Sequence, residues 1–230
     1  EISVRDWSSD VCSSDLRTLV DGVASGRGAA LLVTGEAGIG KTRLLTEVTA
    51  MGAEAGLGVL SGRATPGGGT YRAVAQALAG GLRERPLLDS PELRPYREAL
   101  CRLAPGWVAT EPWRDTGPDP AVALGEGVLA LLRALHGGRG CLLVLEDLHW
   151  ADADTLGLLT YLADAVADVA VLLVLSARDD EPAPGVADLT THPGVAVARL
   201  DRLTPAEVAE LVAGQRGSVQ IGRASCRERV

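Results

Sequence analysis

Eight consecutive residues, Gly35, Glu36, Ala37, Gly38, Ile39, Gly40, Lys41 and Thr42, fit the pattern GxxxxGK[ST]. Glycines at these places let the main chain fold tightly enough for successive N–H groups to surround phosphate oxygens. A helix starting at the lysine would add the positive end of its dipole. Lys41 can reach the β- and γ-phosphates of a nucleoside triphosphate, and the Thr42 hydroxyl can ligate Mg2+. Lys41 is also the only lysine among 22 Lys and Arg residues. A chain that otherwise uses guanidinium groups places its single compact ammonium here.

A second cluster completes such a site. The run CLLVLED at 141–147 is apolar until it ends in Glu146 and Asp147. A buried strand ending this way sets both carboxylates at the C-terminal edge of a parallel sheet, where ligands of α/β folds bind. By position, Glu146 would help Thr42 hold Mg2+ and Asp147 would polarise the attacking water. The reverse order is also open, and Glu in the first place departs from the commoner Asp. Arg178 follows another apolar run. Either it senses or stabilises a γ-phosphate, or it pairs at the surface with Asp179, Asp180 or Glu181. His149 and Trp150 follow the carboxylates after Leu148; they either position them, read a partner or pack against the sheet edge. The three histidines, His136, His149 and His192, are not spaced for zinc.

The elements that must position these groups alternate in type. Residues 29–34, 58–61, 141–145 and 169–176 read as buried strands, and 195–200 as a fifth. Helical spacing marks the end of a helix at 19–24 and whole helices at 41–55, 71–85, 91–103, 121–136 and 155–167. The segment 104–120 is an irregular connection, and 179–191 is acidic and proline-rich. Thr204, Pro205 and Glu207 form a capping box that opens a new helix. The expected fold is therefore α/β: a P-loop NTPase three-layer sandwich with a parallel sheet of about five strands and helices on both faces.

Composition narrows the function. With a net charge of −8, the chain is not one that grips nucleic acid through its overall field. No apolar run reaches the length of a spanning helix, and no basic-then-apolar leader is present. Four cysteines, none in a CxxC pair, suit a reducing compartment. The expectation is a soluble, cytoplasmic protein without a membrane partner. A GTPase would need an Asn/Thr-Lys-x-Asp motif, and the chain has no Asn and no second Lys. Nothing in 125–140 resembles the LSGGQ element of an ABC transporter ATPase. A small-molecule kinase would carry arginines after the fourth strand, where 179–191 has none.

The run LVTGEAGIGKTRLL together with LLVLEDLHWADADTLGLL resembles the ATPase module of signal-transduction ATPases with numerous domains, the STAND class of AAA-like NTPases. It is most similar to the origin-recognition-like AAA ATPase domain of large LuxR-type (LAL) transcriptional regulators. SGRATPGGGTYRAVAQAL, LLVLSARDDE and LDRLTPAEVAELV extend the resemblance through the second strand, the sensor strand and the start of a helical lid. It implies that Gly35, Gly40, Lys41 and Thr42 hold phosphate and Mg2+, that Glu146 and Asp147 form Walker B, and that Arg178 is a sensor. It also implies a switch: an ADP-bound closed form opens on inducer and ATP, self-associates, and presents a C-terminal helix-turn-helix to DNA. DNA would then be met only through an output domain outside this chain. The alternative is a working AAA-type ATPase, such as a helicase loader or remodeller, with the same fold.

The two ends differ in style from the rest. Residues 1–16 hold five of the eleven serines. Ser13–Leu16 can be written TCT TCC GAT CT, and the reverse complement of that word spells the end of Gln220 followed by Ile221, Gly222 and Arg223. Both ends resemble translated sequencing adapters. The expected division is adapter-derived 1–16, NTPase domain 17–200, the start of a truncated lid at 201–219, and adapter-derived 220–230.

Overall fold

The computed structural model describes residues 13–82, 90–103, 120–181 and 183–202. The capping box and helix expected from 204, nearly all of the lid, most of the connection at 104–120, and 1–12 and 220–230 lie outside the described residues.

The apolar runs form β1 (Ala29–Thr34), β2 (Gly58–Arg63), β3 (Cys141–Glu146), β4 (Val171–Ala177) and β5 (Val195–Arg199). All pair in parallel, in the order β2-β3-β4-β1-β5. Period-two alternation sends successive side chains to opposite faces. Leu32, Leu143, Leu145, Leu173 and Leu175 enter one core; Leu31, Val33, Leu142, Val144, Leu172 and Val174 enter the other. The second core is closed by α1 (Ser13–Ala24) and α2 (Lys41–Glu54). The first is closed by α3 (Arg72–Leu82), α4 (Arg97–Leu100), α5 (Pro120–His136), α6 (Ala153–Ala165) and α7 (Pro184–Thr191). Every residue of β4 is buried, and each such Leu or Val contributes about 1.5–3 kcal/mol to folding. The architecture is the expected three-layer α/β sandwich.

The topology fixes where a ligand can sit. From β1 the chain crosses to the far edge at β2, whereas from β4 it crosses β1 to reach β5. The C-terminal ends of β1, β3 and β4 therefore flank a switch point, the crevice in which open α/β sheets bind ligands.

Several elements depart from the sequence reading. The helix expected at 91–103 is broken into a turn, a 3-10 turn at Arg94–Tyr96 and the short α4. Pro95 donates no hydrogen bond, which is tolerated only in the first turn of a helix, where it stands here, so α-helix forms only after it. The proline-rich segment after β4 holds a helix the periodicity did not suggest, α7, with Pro184 in its first turn. α6 starts two residues earlier than expected because Asp152 caps it, accepting the Thr155 N–H at 2.9 Å. β4 is displaced by up to two residues, and β2 runs two residues further, to Arg63. α1 spans Ser13–Ala24, more than the helix end expected at 19–24, with Leu16 buried beside Val20 and Val23.

Candidate active site at the sheet edge

The loop between β1 and α2 carries all eight residues of the glycine-rich pattern. Gly38 (φ 73°) and Gly40 (φ 115°) adopt backbone angles that side chains resist, and Gly40 ends the loop as the N-cap of α2. Glu36, Ala37 and Gly38 are exposed at the tip, whereas Ile39 is half buried. A side chain at Gly35 would lie 2.9 Å from both Ile39 and the Leu200 carbonyl, so this glycine lets the loop close down on the segment after β5. That segment is tied in place: the Leu200 N–H donates to the Thr34 carbonyl at 2.8 Å, and Arg202 Nε donates to Glu36 Oε2 at 2.9 Å.

Lys41 opens α2 and turns back over the loop. Its Nζ donates to the Gly35 carbonyl at 2.7 Å and the Glu36 carbonyl at 2.8 Å, and the residue is 8% exposed. Burial and then the charge of Arg178 lower its pKa; Asp147 opposes them. Arg178 and Asp147 thus lie within electrostatic range of the ammonium, although they come from different strands.

Thr42 Oγ1 donates to Glu146 Oε2 at 3.1 Å, across 104 residues of sequence. Two hard oxygen donors from the P-loop helix and from the end of β3 therefore meet at one point. Asp147 follows with φ 59°, a left-handed conformation that Asp tolerates better than most residues. Its N–H donates to the hydroxyl of Ser176, 2% exposed near the end of β4, at 3.2 Å. Arg178, just beyond β4, pairs with Glu181. The expected groups are thus gathered at one edge: the glycine-rich loop, a buried ammonium, a hydroxyl–carboxylate pair, a second carboxylate and a guanidinium.

A model of the AAA ATPase domain matches residues 13–175. The chain belongs to the AAA ATPase domain family. As a member it is a nucleotide-binding ATPase module. It is 30% identical to uncharacterized protein R02095 of Rhizobium meliloti (strain 1021) over 178 residues, covering 70% of this chain but only 17% of that protein. Its fold is similar to that in the structure of Drosophila ORC bound to DNA, with a TM-score of 0.50 and 16% identity over 88% of this chain and 45% of that one. Among the described residues, no helix of this AAA ATPase domain is long and apolar enough to cross a membrane.

The donor set suits what such a domain usually binds. Mg2+ prefers hydroxyl and carboxylate oxygen to nitrogen or sulfur, and Thr42 with Glu146 offers that pair beside the loop. Sequence reasoning missed the groups that hold these residues. Arg63, at the end of β2, donates from Nη2 to Glu146 Oε2 at 2.7 Å, and its Nη1 lies 3.6 Å from Asp147 Oδ2. No motif announces it, and the strand was read as ending two residues short of it. Asp152 and Thr155 anchor the glycine-rich loop after β2, where the Tyr71 N–H donates to Thr155 Oγ1 at 3.0 Å and Asp152 Oδ2 at 3.3 Å. The expectations for the dipeptide after the carboxylates divide: the His149 side chain is sealed (1% exposed), whereas Trp150 is 44% exposed.

Proposed function

We propose that the chain is the ATP-binding, Mg2+-dependent switch module of a larger bacterial signal-transduction or transcriptional regulator of the LuxR type. The observation that carries this reading is the Thr42–Glu146 contact at 3.1 Å beside a loop whose lysine is buried against its own carbonyls. Main-chain N–H groups of 35–42 would hold the phosphates, and Lys41 would exchange the Gly35 and Glu36 carbonyls for phosphate oxygens. Thr42 and Glu146 would share Mg2+, which would neutralise phosphate charge. Asp147 would orient water for a slow hydrolysis of ATP to ADP and phosphate, and Arg178 would meet the γ-phosphate. A switch is favoured over a working ATPase by how thoroughly these charges are already paired: Arg63 with the acidic pair, Glu181 with Arg178, Arg202 with Glu36. Binding must exchange those pairs, which is what a switch requires. The much longer Rhizobium relative supports a module within a multidomain protein. Self-association on ATP, and DNA contact through another domain of the full-length protein, belong to the same reading.

Equilibrium binding of ATP and ADP, with and without Mg2+, tests it. Loss of the charge-assisted contacts of Lys41 should weaken binding by Lys41→Ala about tenfold to a hundredfold; unchanged affinity refutes the site. Asp147→Asn should keep binding and slow hydrolysis, while equal loss of both would make Asp147 the metal ligand. Hydrolysis faster than about one turnover per second and stimulated by DNA would instead favour a working ATPase.

A further inference from the structure

Glu181 sits where it can hold the sensor arginine in reserve. The loop after β4 returns towards the site, and Glu181 pairs with Arg178, three residues earlier. Its other oxygen, Oε2, lies 3.7 Å from Nε2 of His149, which belongs to the 3-10 turn after the acidic pair. That imidazole is sealed: its side chain is 1% exposed, and Nδ1 is buried without a hydrogen-bond partner. Glu181 therefore lies between the guanidinium beyond β4, which it pairs with, and a fixed ring beside β3 whose pKa burial lowers, so that the ring is a neutral wall rather than a second cation. A second ion pair, Asp179 Oδ2 to Arg199 Nη2 at 3.1 Å, fastens the same loop to the end of β5. β1 and β4 pair with Thr34 opposite Ala177, so Arg178 leaves β4 beside the start of the glycine-rich loop while bound to a carboxylate.

We propose that Glu181 is a positioning residue that sets discrimination between nucleoside triphosphate and diphosphate by competing with a γ-phosphate for Arg178. The inference rests on the nucleotide-binding reading above. A diphosphate ends short of Arg178 and leaves the Glu181 pair intact. A triphosphate must take the guanidinium from Glu181, and part of its binding free energy is lost in breaking that pair. Arg178 and Glu181 are 31% and 38% exposed, so solvent screens the pair and its removal is a modest effect, about two- to fivefold in affinity.

Calorimetric titration of the full chain with ADP and with the β,γ-imido analogue of ATP, both with Mg2+, tests the inference. Glu181→Gln keeps the shape of the side chain and leaves the Asp179–Arg199 tie in place, and unchanged thermal unfolding confirms that it folds. The expected result is about two- to fivefold tighter binding of the imido analogue with ADP affinity unchanged. The effect should vanish in an Arg178→Ala background. Equal changes for both nucleotides, no change, or a gain that persists without Arg178 would overturn the proposal. Wild-type chain that binds neither nucleotide removes the nucleotide-binding reading and this inference together. Binding that Lys41→Ala weakens and Glu181→Gln leaves unaltered removes this inference alone.

Discussion

Arg63→Ala should strengthen the hold of the site on Mg2+. Arg63 Nη2 lies 2.7 Å from Glu146 Oε2, the same oxygen that accepts the Thr42 hydroxyl at 3.1 Å. A cation shared by Thr42 and Glu146 must therefore displace the guanidinium or share an oxygen with it. At an effective dielectric of about 20, two unit charges about 4 Å apart attract by about 4 kcal/mol. The Arg63 side chain is 47% exposed, however, and Glu146 19%, so hydration and side-chain entropy reduce the net worth to about 1 kcal/mol at most. Removing Arg63 should then lower the Mg2+ midpoint of the ADP complex up to about fivefold. The shift should shrink in about 0.5 M salt, because an exposed pair is screened. Calorimetric Mg2+ titration at two salt concentrations reads both numbers. An unchanged or raised midpoint would refute the competition, and a raised midpoint with weaker nucleotide binding would make Arg63 a phosphate ligand instead.

Gly28→Ala should destabilise the fold by about 3 kcal/mol or more, a fall in Tm of roughly 6–12 °C. The new Cβ would meet the carbonyl oxygens of Val166 at 1.9 Å and Val169 at 2.2 Å, main-chain atoms that cannot rotate away. Cys141, buried in β3 with its thiol pushed up to about 12 by burial, should escape iodoacetamide at pH 8 while the half-buried Cys101 reacts. Labelling of both at one rate, read by mass spectrometry, would contradict that burial. Burial, then the hydrogen bond to Glu126 Oε1 at 2.8 Å, pushes the Tyr161 phenol up to about 12. The folded state favours the neutral phenol, so this stabilisation is complete below about pH 10 and is lost as the pH rises towards 12. Tyr161→Phe should flatten that part of the stability–pH curve in denaturant titrations; an unchanged slope would show that Tyr161 titrates normally.

The fold and the residues grouped at the sheet edge were largely legible, and for a local reason. A strand buried on both faces is a continuous apolar run, and AALLVT, CLLVL and VAVLLVLS announce three of them. The glycines and lysine of 35–42 are tied by backbone geometry to fixed spacings, so the loop could be read without knowing its neighbours. Where local rules competed, the reading slipped. Apolar spacing at 91–103 suggested one helix, but Pro95 broke it. The segment 179–191 reads only as acidic and proline-rich, with no element assigned, but Pro184 serves as a helix start. Asp152 was read as part of a motif rather than as the cap that moves α6 forward by two residues.

What could not be read from the sequence is what faces what across the sheet. Arg63 and Glu146 are direct partners because β2 and β3 pair in parallel with Leu60 opposite Leu143 and Gly62 opposite Leu145. Side chains at paired positions project from the same face, and a slip of one residue would bring Gly62 or Ala64 opposite Glu146 instead. The register is held by packing rather than by charge. Leu60 is 5% exposed in the core, and Gly62 admits the Ala73 carbonyl of α3 to within 1.9 Å of where a Cβ would stand. Neither fact is visible until α3 is known to cross that strand. Glu181 was already a candidate partner of Arg178, but its approach to His149 escaped notice for a similar reason: His149 lies 32 residues earlier and meets it only because β3 and β4 are neighbours. The residue types that do chemistry are thus fixed by short spacings, while the counter-charges that restrain them are fixed by strand order and register.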